Sequence, residues 1–213
     1  FLEKGFQNTP FAFGFKFVGG NHLPRNQEQK PITFNDFADR STGLKRLGIL
    51  RMDVDNLGLI FSHGFGKRAS ISRVTTLSRN LYLFFNGYLN TICLKEDYRD
   101  KTFIIYSGGD DLFIVGAWNH IIDLSEEINT EFRDFCCHNP VLTLSGGIAL
   151  TTKKYPIYRG ARHAGDAEDK AKDFKRKNGK EKDAITFLNK TLSWHDLSIA
   201  KDIKNLLYDR IVK

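Results

Sequence analysis

Three observations predict an α+β fold for this sequence. Short apolar runs with strand character alternate with two long amphipathic helix patterns, a Gly-Gly turn joins two of the runs directly, and a further helix-strand-helix pattern follows. The order reads β-α-β-β-α-β and then α-β-α.

Each element follows from its own pattern. Phe11, Phe13, Phe15 and Phe17 alternate in "FAFGFKFV", the period of a half-buried strand, and the polar, turn-rich "GGNHLPRNQEQK" after it reads as a loop. "LGILRMDVD" (47–55) is the first strand of the regular part. A long helix is predicted over 69–93, where Val74, Leu77, Leu81, Phe84 and Tyr88 recur at helical spacing. "KTFIIY" and "LFIVGAW" form a hairpin around "SGGDD". A second helix, 120–136, carries the stripe Ile121, Leu124, Ile128, Phe132 and Phe135. "VLTLSGGIAL" is a strand, 159–177 a basic helix, "DAITFL" a short strand, and about 197–211 a closing helix. With the hairpin in the middle and the helices stacked on one face, this is the ferredoxin-like split β-α-β arrangement used by polymerase and nucleotide-cyclase palms. Fold alone assigns no chemistry.

Composition narrows the setting. The 213 residues are 41% hydrophobic and 27% charged, ordinary for a globular domain, and no apolar run is long enough to span a bilayer. The chain opens on Phe1 with no leader pattern, so a piece of a longer protein is expected. Cys93, Cys136 and Cys137 are odd in number and lack C-x-x-C spacing, which excludes the usual zinc and redox motifs and suits a reducing cytoplasm. The net charge is +7, and the segment 151–182 holds eleven Lys/Arg against five Asp/Glu. That imbalance suggests an anionic partner such as phosphate or nucleic acid, with a solvated helix face as the plain alternative. The six His residues form no ligand-spaced set.

The chemistry is concentrated in two acidic motifs. In "RMDVDNLG" the strand alternation puts Asp53 and Asp55 on one side and Met52 and Val54 on the other. In a split β-α-β sheet this strand lies beside the central hairpin, so Asp53 is expected near Asp110 and Asp111 of "YSGGDDLF". Carboxylates gathered this way repel, and a pair of hard divalent cations, Mg²⁺ or Mn²⁺, relieves the repulsion. Gly108 and Gly109 are expected to supply the positive φ angles of the tight turn and to clear space for a triphosphate. A plain solvated turn is the bland alternative, since Gly and Asp favour turns anyway.

"LGILRMDVDNLG", "ASISRVTTLSRNLYLFF", "YSGGDDLFIVGAW", "LSGGIAL" and "KDAITFL" together resemble the second palm domain of the large subunit of type III CRISPR effector complexes, the Csm-type branch in particular. More distantly the chain is similar to GGDEF diguanylate cyclases. The resemblance spans about residues 32–188. It implies a nucleotidyltransferase that polymerises ATP and closes it into cyclic oligoadenylate, using two Mg²⁺ or Mn²⁺ ions. It further implies other palm and HD domains of the same subunit as partners, and, indirectly, RNA-guided effector subunits and target RNA.

By position the resemblance makes Asp53, Asp110 and Asp111 the catalytic carboxylates and metal ligands, with the Val54 carbonyl adding an oxygen and Asp55 in support. Asn56, Leu57, Gly58, Ser107, Gly108, Gly109 and Lys172 are the implied nucleotide contacts, Lys172 holding triphosphate oxygens. The cyclases carry a Lys shortly after the first acidic strand where this chain has Gly58, so its phosphate grip differs. Two alternatives stay open: a GGDEF-like cyclase using GTP, against which the turn continues Asp111-Leu112-Phe113, and a non-catalytic scaffold palm, against which all three carboxylates are intact. The expected organisation is an N-terminal segment 1–30, a palm domain 31–190 and a C-terminal helix 191–213.

Overall fold

The computed structural model describes residues 16–176, 179 and 181–211. The predicted strand around Phe11 to Phe15 lies outside them, and residues 16–18 are not in a strand. A short helix α1 (Phe34–Asp39) is closed by a Thr33/Asp36 capping box and leads into β1 (Leu47–Val54). After α2 (Leu57–His63), Ser70 caps α3 (Ile71–Tyr82), which runs through one π-helical segment, Leu83–Tyr88, into α4 (Leu89–Cys93). The hairpin β2 (Thr102–Gly108) and β3 (Asp111–Ala117), α5 (Trp118–Phe135), β4 (Leu144–Thr151) and α6 (Ile157–Lys172) follow. The chain closes with β5 (Ala184–Phe187), β6 (Lys190–Ser193) and α7 (Trp194–Ile211).

The strands form one sheet in the order β2-β3-β1-β4-β5-β6. Its first four strands are antiparallel neighbours, as the split β-α-β motif requires, while β5 joins β4 in parallel. β1 is therefore central, flanked by the hairpin and by β4. β6 pairs with β5, so the sheet continues past the expected domain limit at residue 190, and α7 docks through buried Trp194 and Leu197.

Alternation along β1 sends its residues to two cores. Leu50, Met52 and Val54 join Phe84, Phe85, Leu89, Ile121, Leu124, Ile128 and Phe132 in the larger one, under α3 to α5. The α5 stripe is fully buried up to Phe132, each such side chain contributing about 1.5–3 kcal/mol of transfer free energy. Leu47 and Ile49 face the other way, onto Phe37, Ala38 and Ala164 of α1 and α6. Here the structure corrects the expectation of helices on one face. The basic helix α6 covers the opposite side of the sheet, held close because a Cβ at Gly147 would meet the α6 backbone.

Two local irregularities were not expected. The β2/β3 register shifts between Ile104 and Tyr106, which leaves Ile105 unpaired and reverses the alternation beyond it. Ser107 consequently points inward, where its hydroxyl donates to the Phe85 carbonyl, 2.6 Å away in the π-helical segment. The predicted helix over 69–93 thus runs on from Ile71 to Cys93 but widens into a π-helical segment at the point that anchors the hairpin.

Candidate active site

β1 and the hairpin meet where their acidic motifs end. Asp53 is the register partner of Asp111, and the Val54 amide donates to the Asp110 carbonyl at 3.1 Å. Of the two turn glycines Gly109 alone has a positive φ, +67°, which corrects the expectation for Gly108. Among the described residues no atom lies within 4 Å of where the Gly109 side chain would start, so the turn is tight and its outer face open there. Arg51, Asp53, Asp110, Asp111, Gly165, Glu168, Asp169 and Lys172 line a polar cleft of about 360 Å³ between the sheet and α6.

Charge in this cleft is uneven. Burial, then the neighbouring Asp53 and Asp111 carboxylates, raise the Asp110 pKa. Burial and Asp53 likewise raise Asp111, with Tyr106 and Arg51 pulling the other way. Lys172 comes from the last turn of α6 and pairs with Asp53 Oδ2, and its Nζ also donates to Glu168 Oε1 at 2.9 Å. Burial works against that ammonium, but the two carboxylates outweigh it and hold its pKa above the usual lysine range. Glu168 Oε2 faces Arg51 Nε at 3.4 Å.

The cleft thus gathers Asp53, Asp110, Asp111 and Lys172, but not the other expected residues. The chain turns away after Val54, and Asp55 is buried on its own, its Oδ2 accepting from Thr143 Oγ1 at 2.7 Å and the Asp183 amide at 3.0 Å. The expectation that Asp55 shares a side with Asp53 therefore fails, because the strand ends before the alternation reaches it. Asn56 (φ +56°) opens α2 and accepts from Lys182 Nζ, while Leu57 packs on the larger core and Gly58 stands open. None of the three lines the cleft, and the Ser107 side chain is committed to Phe85.

Arg51 and Glu168 were missed by the sequence reading, although a signal for each exists. Arg51 lies two residues before Asp53 on a strand, and Glu168 four before Lys172 on a helix, so each shares a face with a residue already singled out.

The cleft's acceptors fit a hard divalent cation. They are carboxylate oxygens, and one of them, Asp53 Oδ1, is buried without a hydrogen-bond partner among the described residues. Among the described residues, however, no three His, Cys, Asp or Glu side chains form a ready metal cage. The positive charge at Asp53 is supplied by Lys172.

Comparison with known proteins matches residues 46–185 to the family model of Cas10/Cmr2, second palm domain. The chain belongs to that family. This second palm domain is 35% identical over 195 residues to the Cas10/Csm1 single-strand-specific deoxyribonuclease (subtype III-A) of Methanocaldococcus jannaschii, covering 83% of the chain and 24% of the relative. It is 43% identical over 163 residues to the protein of that name from Mycobacterium tuberculosis, covering 70% and 20%. The palm domain thus spans about a quarter or less of these relatives. Among solved structures it is similar to a Csm1-Csm4 cassette in complex with cA3 (TM-score 0.75, 28% identity, 87% of this chain and 28% of that one). The cassette in complex with one ATP is similar too, at TM-score 0.73, 28% identity, and 84% and 27% coverage. No helix among the described residues is long and apolar enough to cross a membrane.

Proposed function

We propose that this palm domain carries the nucleotidyl-transfer site of a type III CRISPR large subunit and converts ATP to cyclic oligoadenylate. The observation that carries the reading is the convergence of Asp53, Asp110, Asp111 and Lys172 in one cleft, in a family whose solved relatives hold ATP and cA3. In each step a ribose 3′-oxygen bonds to the α-phosphorus of another ATP, that phosphorus loses its bond to pyrophosphate, and the hydroxyl proton leaves. Ring closure repeats the step within one chain.

Asp53, Asp110 and Asp111 would hold two Mg²⁺ or Mn²⁺ ions, with the Val54 carbonyl as a further oxygen. Bound there, such ions lower the pKa of a hydroxyl and neutralise triphosphate charge. Lys172 binds triphosphate oxygens as a point charge, and the open outer face of the turn at Gly109 leaves room for the nucleotide. The contribution of the protein is positioning and charge compensation. Other palm and HD domains of the same subunit, a Csm4-type neighbour, guide-bearing subunits and target RNA complete the assembly.

The deoxyribonuclease activity in the relatives' name describes proteins at least four times this chain's matched share, so it enters the test as a competing outcome. The full-length protein, in its complex with and without target RNA, is incubated with labelled ATP or GTP, or single-stranded DNA, and Mn²⁺. RNA-dependent cyclic product from ATP that disappears in Asp110→Ala/Asp111→Ala is expected. The same yield in the double variant removes the proposal, GTP product favours the cyclase alternative, and no nucleotide turnover favours a scaffold palm.

A further inference from the structure

We propose that Lys172 is a resident counter-ion of Asp53, held there by Glu168, and that a divalent cation must displace it. The inference rests on the nucleotidyl-transfer reading of this cleft and adds to it a coupling between its two ligands.

Four side chains form a row of alternating charge across the cleft floor: Arg51, Glu168, Lys172 and Asp53. Arg51 and Asp53 stand on one face of β1, while Glu168 and Lys172 are one turn apart on α6. Gly165 makes room for the row, since a Cβ there would lie 3.1 Å from the Arg51 guanidinium. Glu168 is the fixed member. Its side chain is 7% exposed and bonded on both sides, so it can keep Lys172 within reach of the cleft in more than one pose.

The row satisfies only one side of Asp53. Among the described residues its Oδ1 is buried without a partner, and the one lysine of the row pairs with Asp53 rather than with Asp110 or Asp111. The cleft therefore keeps an attraction for cations beyond what Lys172 meets. An ammonium donates three hydrogens and has no lone pair to offer a metal. A divalent ion arriving at Asp53 consequently meets a positive charge already in contact with the ligand it needs, a repulsion that is strong in a half-buried cleft. A triphosphate resolves the conflict by offering Lys172 other oxygens. Nucleotide thus frees Asp53 for the cation, the cation drives Lys172 toward nucleotide, and by linkage each raises the other's affinity by the same factor.

The test measures binding rather than turnover. Mn²⁺ is titrated into the 213-residue chain without nucleotide, free Mn²⁺ being read by electron paramagnetic resonance, for wild type, Lys172→Met, Lys172→Arg and Asp110→Asn. Lys172→Met is expected to bind Mn²⁺ about three- to tenfold more tightly, the range for losing one half-buried ion-pair competitor. Lys172→Arg, which keeps the charge, should stay near wild type. ATP should then raise Mn²⁺ affinity by a larger factor in wild type than in Lys172→Met. Melting curves show that each variant is folded, and Lys172→Gln replaces Lys172→Met should the latter be unfolded. Mn²⁺ affinity that is unchanged or weaker without the lysine charge overturns the inference alone, provided Asp110→Asn weakens uptake. Mn²⁺ uptake that Asp110→Asn leaves untouched overturns the carboxylate site itself, and the inference with it.

Discussion

Gly147→Ala tests how the two halves of the cleft are held together. Gly147 lies on β4 as the register partner of Arg51, directly beneath α6. A Cβ there would stand 2.2 Å from the Glu168 amide nitrogen, 2.4 Å from the Ala164 carbonyl oxygen and 2.7 Å from the Ala167 carbonyl carbon. All three atoms are backbone, so no side chain can swing aside. Ordinary contact begins near 3.4 Å, which leaves about 1.2 Å for α6 to lift from the sheet. Overpacking of this kind costs about 1–3 kcal/mol. For a domain of this size that lowers the melting temperature by roughly 2–12 °C. The same lift draws Glu168 and Lys172 away from Arg51 and Asp53, so ATP affinity in Mn²⁺ should fall about tenfold or more, as ångström-scale misplacement does in other sites. Scanning calorimetry and an ATP titration read the two effects, with Gly58→Ala as the steric control in calorimetry alone, because among the described residues nothing lies within 4 Å of a Cβ there. A Gly147→Ala chain that melts within a degree of wild type would refute the reasoning.

Three further outcomes are expected. The isolated chain should bind ATP with Mn²⁺ but form little or no cyclic product, because its carboxylates and Lys172 describe one triphosphate site and no acceptor site; robust product from the purified chain, read by chromatography, contradicts this. Among the cysteines, exposed Cys137 should react first with a thiol reagent, Cys136 slowly and Cys93 only on unfolding, since burial pushes their thiols up to about 11 and about 12; equal rates by mass spectrometry contradict it. Burial raises the Asp55 carboxyl above the ordinary Asp range. The folded chain therefore holds that proton to higher pH than the unfolded chain does, and this contribution to stability falls as pH rises through the window just above the usual carboxylate pKa. Asp55→Asn should flatten that part of the profile in chemical denaturation, and an unchanged slope would show that Asp55 does not cause it.

Elements whose signal is local were legible in the sequence. The alternation of β1, the Gly-Gly turn and the stripe of α5 from Ile121 to Phe132 each concern neighbours along one strand or helix, and the order β-α-β-β-α-β left few ways to arrange the sheet. The pairing of Asp53 with the hairpin acids followed from that order. The one-residue bulge at Ile105 and the π-helical segment left no periodic signal, because each is held by contacts made elsewhere in the fold, such as Ser107 to Phe85. The sequence by itself therefore determined which residues share a face of β1 as far as Asp53 and of α5 as far as Phe132, and with them the candidate carboxylates Asp53, Asp110 and Asp111. Which face meets which element was decided only in the tertiary structure. Periodicity does not say on which side of the sheet a crossover helix will pack. The close approach permitted by Gly147 and Gly165 brought α6 over Arg51 and Asp53, and so joined Lys172 to a carboxylate 119 residues away while the chain turned Asp55 out of the cleft.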